Sequence, residues 1–311
     1  MKLKTIVLSL LFVGILSNPT PAKQPDWNRF FYHGDGYVHL VSRKNGKVFK
    51  GHYRQGNHAY EADAYKQISA VFDAPYQPPR HVLSLRLLEF LDYLGDQLGK
   101  GAQITVTSGY RPPDYNTKLR KKGILAAKAS LHQYGMAVDF IMDGVSSKRV
   151  WEYVRSIGFG GTGYYHGSSV HVDVGPARFW DERSSGVGMG LSNENKLIGL
   201  IADYDVYAPG DSVTLSFIRM TAFPITVSSI FHLAQKKDAE RMDEVLSFNP
   251  TFETATTDGC GEFNNIGEMD RFQWRLPSKL TPGRYMIRAA FCGNLWEQMP
   301  KEVYTPEFEV R

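Results

Sequence analysis

SLHQYGMAVDF, Ser130 to Phe140, carries a histidine and an aspartate seven positions apart, with a glycine between them and an apolar run around the acid. Gly135 permits a tight backbone turn that would bring His132 and Asp139 to one point. By itself the stretch reads equally as half of a metal site or as a buried strand with two polar residues.

The neighbouring segments extend the first reading. Upstream, Leu83, Leu87, Leu91, Leu94 and Leu98 recur at helical spacing and Gly99 follows as a stop, which predicts a core-facing helix over Val82 to Leu98. QITVTSGYRPP is then a short strand ending at Gly109, with Arg111 on the loop that leaves it. Brief helices are expected over Pro113 to Lys122, stopped by Gly123, and over Lys148 to Ile157, capped by Ser146 or Ser147 and stopped by Gly158.

Downstream, GFGGTGYYHGSS leads into SVHVDV. The two-residue strand period places Ser169, His171 and Asp173 on one face and Val170, Val172 and Val174 on the other. One face belongs to the core and the other is available for a site. A catalytic zinc ion takes three protein ligands and keeps a fourth position open for water. His132, Asp139 and His171 form such a set, and two neutral imidazoles with one carboxylate leave a net charge of +1, so that a water there ionises near neutral pH.

SGYR, SLHQYGMAVDF, GYY and VHVDVGPARFW occur in the order and close to the spacing of the zinc peptidases of the D-alanyl-D-alanine carboxypeptidase and murein endopeptidase group, peptidase M15-like, and the chain most resembles their YcbK-like branch over about residues 28 to 181. The resemblance implies a zinc D,D-peptidase or hedgehog-like α+β domain with a small antiparallel sheet and helices. It implies zinc on His132, Asp139 and His171, with Arg111 facing the scissile region, where its fork of donors would hold a carboxylate or a developing oxyanion.

One departure stands out. Related families place a Glu or His two or three positions before the last ligand as general base, and Ser169 and Ser168 stand there in this chain. Asp173 is the first candidate for the proton acceptor, with orientation of the metal-binding histidine as its alternative role, and His166 is the second candidate. Tyr164 and Tyr165 are expected to shape the cleft or donate to the intermediate, and Ser130 to support the site by a hydrogen bond. Arg178 and Trp180 are expected to stabilise the fold. The short basic run Lys118 to Gly123 reads as a solvated helix face, which leaves nucleic-acid binding without support.

The ends of the chain carry other signals. Lys2 and Lys4 precede the apolar stretch Ile6 to Leu16, too short to span a bilayer, and a small-residue segment ends near Ala22, which together read as a secretory signal peptide over residues 1 to 22. Export to a periplasm or cell envelope, with no stable membrane span after processing, makes a disulfide the expected state of the two cysteines, Cys260 and Cys292. The small, polar segment Asp181 to Asn195 marks a boundary between a peptidase domain over residues 23 to 183, a linker over 184 to 195 and a domain over 196 to 311. Short strands preceded by Pro-Gly turns make this second domain an expected all-β immunoglobulin-like sandwich, its partner unknown.

The function expected is zinc-dependent cleavage of peptide cross-links or stem peptides of peptidoglycan by an exported enzyme. The alternatives are a D,D- or L,D-carboxypeptidase, and a catalytically silent, zinc-stabilised wall-binding protein.

Overall fold

The computed structural model describes residues 27–57, 59–78, 80–121, 127–184, 194–238, 241–252, 256–293 and 296–311. The expected signal peptide, most of the expected linker and the Gly123 helix stop lie outside them. No helix among the described residues is long and apolar enough to cross a membrane.

Seven strands share the first sheet: β1 (Tyr37–Ser42), β2 (Val48–His52), β3 (Gln103–Ser108), β4 (Ala137–Met142), β5 (Gly161–Tyr164), β6 (Val170–Asp173) and β7 (Arg178–Asp181). Their order is β7-β5-β6-β4-β3-β1-β2. The β1–β3 and β5–β7 pairs are parallel and the remainder antiparallel, so the sheet is larger than expected and mixed. Asn45 and Gly46 turn the β1–β2 hairpin, with Gly46 at φ 71°.

Helices α1 (Ala62–Val71), α2 (Leu85–Leu98), α3 (Pro113–Lys121) and α4 (Ser147–Ile157) accompany this sheet. In α2, Leu87, Leu91 and Leu94 are fully buried, and Ser84 caps the first turn by accepting from the Leu87 amide. Ser146 caps α4 in the same way, and Gly158 ends it in the left-handed conformation. The apolar faces of α1, α2 and the sheet make one core, extending from Val38 to Val174 with Ile218 added from beyond.

Asp92 is the costly residue of α2. It lies 2% exposed and accepts from the Tyr53 hydroxyl and the Gly36 amide, both at 2.7 Å. Burial pushes its carboxyl up to about 7 in spite of these donors, with Glu89 and Asp96 adding to the rise. A raised carboxyl favours the folded state while protonated, so its stability contribution is present below pH ~4 and is lost as the pH rises through about 7. Unfolding of Asp92→Asn and the parent, compared from pH 4 to pH 8, should therefore show the variant gaining on the parent by up to ~1.4 kcal/mol per pH unit within that window. A constant difference across the window would contradict this.

Residues 198 to 310 form a second core, built from strands and one 3-10 turn, Ile266–Met269. Its strands are β8 (Gly199–Ala202), β9 (Val206–Tyr207), β10 (Ser212–Ile218), β11 (Ile225–Lys236), β12 (Met242–Phe248), β13 (Thr256–Thr257), β14 (Cys260–Phe263), β15 (Asp270–Arg275), β16 (Gly283–Phe291), β17 (Glu302–Tyr304) and β18 (Phe308–Val310). One sheet has the order β8-β10-β15, and the other has β9-β18-β16-β11-β14-β13 with β12 on β11 and β17 on β16. Cys260 and Cys292 are joined as a disulfide. The two cores meet along a mixed seam, where Ile218 joins the first core, Arg86 pairs with Asp205 at 2.8 Å and the Met220 amide donates to the Tyr134 hydroxyl at 3.0 Å.

Candidate metal centre

The opening stretch folds as a 3-10 turn, Leu131–Tyr134, closed by Gly135 and followed by β4. Gly135 has φ 62°, and a Cβ there would lie 2.0 Å from the Val82 carbonyl oxygen, so the turn requires glycine on two counts. This turn returns the chain so that His132 meets Asp139.

Cross-strand register assembles the rest. Ser108 of β3 lies opposite Asp139 of β4, Asp139 opposite His171 of β6, His171 opposite Gly163 of β5, and Gly163 opposite Trp180 of β7. A single row across five strands thus carries the site. Donor atoms of His132, Asp139 and His171 all lie within 4.8 Å of one another.

The hydrogen bonds fix how each ligand is presented. The His132 Nδ1–H donates to the Gly109 carbonyl at 2.7 Å, which leaves the Nε2 lone pair directed at the Asp139 carboxylate 3.5 Å away. That Nε2 atom is buried and has no hydrogen-bond partner, an arrangement that a bound cation resolves. His171 lies between two acids, with Nδ1 2.9 Å from Asp139 Oδ1 and Nε2 2.9 Å from Asp173 Oδ2. Two imidazoles and a carboxylate fit a three-ligand zinc site, with His171 oriented from behind by Asp173.

Charge is tightly matched here. Burial pushes the Asp139 carboxyl up, but His132 and His171 outweigh burial and hold it well below the usual range. Burial holds His132 low and neutral, the state a ligand needs. For Asp173 burial is again outweighed, first by Arg178 and then by His171, so it stays ionised.

The structure brings Arg111 and Tyr165 to Asp139 of the candidate ligand set. Arg111 Nη2 donates to Asp139 Oδ2 at 3.1 Å while its Nε is held by the Ser108 hydroxyl, and the Tyr165 hydroxyl donates to Asp139 Oδ1 at 3.2 Å. Other expected participants lie elsewhere. The Ser169 hydroxyl bonds Thr107 and the Phe140 carbonyl, and Ser130 offers its backbone carbonyl to Gln133. His166 sits at φ 56°, with Nε2 2.7 Å from Asp181 and its ring 4.3 Å from that of Tyr164, outside the ligand group.

The expectation of an open face on β6 needs correction, because His171 is 6% and Asp173 0% exposed. Trp180 covers His171, ring centroids 4.8 Å apart, and Arg178 clamps both Asp173 oxygens at 2.9 and 2.6 Å. Two glycines of β5 make this possible. A Cβ on Gly163 would lie 2.3 Å from the Trp180 ring, and one on Gly161 would lie 2.2 Å from Asp173 and 2.7 Å from Arg178. Arg178 and Trp180 thus serve the site as well as the fold, and the G-T-G spacing that admits them is the sequence signal that could have revealed it.

Comparison with known proteins identifies the family of the part of the chain that carries this site. The family model described as peptidoglycan L,D-endopeptidase MepK, of the peptidase M15 type, matches residues 34–180. The protein named peptidoglycan L,D-endopeptidase MepK from Escherichia coli (strain K12) is 32% identical over 152 residues, which cover 48% of this chain and 70% of that protein. A Haemophilus influenzae protein named as a probable MepK is 40% identical over 82 residues, covering 26% of this chain and 44% of its own length. The family match ends at residue 180, before the all-β part begins.

Proposed function

Because the chain belongs to the peptidoglycan L,D-endopeptidase MepK family, we propose that it is an exported, zinc-dependent L,D-endopeptidase that opens peptide cross-links of the bacterial cell wall. The observation that carries this reading is the cluster of His132, Asp139 and His171 with one buried, unpartnered imidazole nitrogen at its centre. Residues 23 to 183 are the catalytic domain in this reading, and 196 to 311 an immunoglobulin-like sandwich appended to it.

Zinc, when bound, supplies the Lewis acidity that lets water attack an amide near neutral pH. The chain does the remainder. Gly109 and Asp173 fix the ring orientations of His132 and His171, and Arg111 and Tyr165 place N–H and O–H donors beside Asp139, where an oxygen gathering negative charge would be stabilised. Asp173 is a positioning residue in this scheme. Its two oxygens are already taken by His171, Arg178 and the Gly175 amide, and it has no exposed surface from which to receive a proton from water.

Purified protein incubated with cross-linked muropeptide dimers should release monomers, chelator should stop it, and the product masses should report cleavage between L- and D-centres. Zinc bound at one equivalent with no cleavage would instead favour a silent wall-binding protein. Arg111→Ala should keep its zinc and lose ~100-fold in kcat, the usual consequence of removing an oxyanion donor. Unchanged kcat would remove Arg111 from the mechanism.

A further inference from the structure

Away from the histidine cluster, Asp35, Asp92 and Asp96 each offer a carboxylate oxygen within 4.8 Å of the other two. Asp92 and Asp96 stand on one face of α2, a turn apart, and Asp35 lies on the loop that enters β1. Like charges at this helical spacing repel. A cavity of about 210 Å³ opens beside the three acids, between α2, β1 and the start of β3, with His39 and Lys100 as the basic residues on its wall.

Backbone amides already hold one oxygen of each acid. The Tyr37 amide donates to Asp35 Oδ1 and the Asp35 amide to Asp96 Oδ2, both at 2.9 Å, and the Gly36 amide donates to Asp92 Oδ2 at 2.7 Å. The other oxygen of Asp92 is an orphan. Oδ1 is buried without a hydrogen-bond partner, in a residue that is itself 2% exposed. It faces the loop that carries Asp35, since a Cβ on Gly34 would lie 2.3 Å from it. A buried carboxylate oxygen without a donor is costly, and neighbouring acids raise that cost. Arg54 does not relieve it, because its guanidinium pairs with Glu89 at 2.8 Å.

We propose that Asp35, Asp92 and Asp96 form a calcium site that pins the loop entering β1 to α2. The donor set is all oxygen, which suits a hard cation rather than zinc, and Asp35 is exposed, so water can complete the roughly six to eight oxygens that calcium takes. Magnesium is the poorer match because it demands near-octahedral geometry. In the calcium-free chain the Asp92 carboxyl is pushed up to about 7, and a cation beside it would hold it ionised. The site is independent of the peptidase reading and of the histidine cluster.

The test is thermal unfolding of the metal-free full chain with added calcium chloride. For a site of ~1 mM affinity, ~10 mM calcium should raise the melting temperature by roughly 3–5 °C. The same rise should appear in His132→Ala, which keeps the effect clear of the histidine cluster. Asp96→Asn should melt at or above the calcium-free parent, because a like charge is gone, and should show no calcium-dependent rise. Asp35→Asn, at the exposed edge of the cluster, should also lose the rise, so the result does not hang on one variant's folding. No rise in the parent, an equal rise with magnesium chloride, a rise absent from His132→Ala, or one that survives in either aspartate variant overturns the proposal.

Discussion

His132→Ala should give a folded protein that retains neither zinc nor turnover. Of the three proposed ligands His132 is the one whose metal-facing atom has no other hydrogen-bond partner, since Asp139 and His171 already bond one another and Arg111, Tyr165 and Asp173. Its removal takes away the donor while leaving those bonds in place. Zinc content should fall from one equivalent to below a tenth, and dimer cleavage should drop by three orders of magnitude or more. A ligand that binds only the folded state raises the melting temperature. Added zinc should therefore raise it in the parent and leave it unchanged in the variant, a readout independent of activity. One equivalent of zinc retained by the variant would remove His132 from the ligand set.

The centre was legible in the sequence to the extent that its parts are local. Gly135 between His132 and Asp139 announces a turn, and the period of β6 puts His171 and Asp173 on one face; both hold in the structure. Likewise the leucine spacing of α2 depends on interactions within a few residues. What was not legible depends on register. That Arg178 lies opposite Gly161, and Trp180 opposite Gly163, follows from a parallel pairing of strands separated by a whole intervening strand. Without that register the polar face of β6 appears open, when it is covered. The extra strand pairings of the sheet escaped for the same reason, because β1 and β3 pair in parallel across more than fifty residues of intervening chain. A register shift in β15, where Leu215 lies opposite Phe272 and Ser216 opposite Asp270 with Arg271 between, was hidden more deeply still. Nothing in DRFQWR marks its second residue as a bulge, because the offset arises from how β15 meets β10.

Asp173→Asn separates the two roles open to that residue. If Asp173 orients His171, the variant loses the charged acceptor for the Nε2–H, and zinc affinity should weaken 10–100-fold, the typical effect of changing a hydrogen-bond partner of a metal ligand. At saturating zinc most of the turnover should then return, with its pH profile unchanged. A proton acceptor would behave in the opposite way, with zinc affinity intact and turnover absent at every zinc concentration. Stability provides a further signature. Asp173 is fully buried against Arg178, which is itself 27% exposed, so breaking the pair should cost about 3 kcal/mol near neutral pH. The depressed carboxyl contributes this stability only while ionised. The gap between parent and variant should therefore be fully present above the ordinary carboxylate range and close as the pH falls below it. A pH-independent gap would mean that packing rather than charge holds Asp173 in place, and would leave His171 without the electrostatic support from Asp173 on which the orienting role depends.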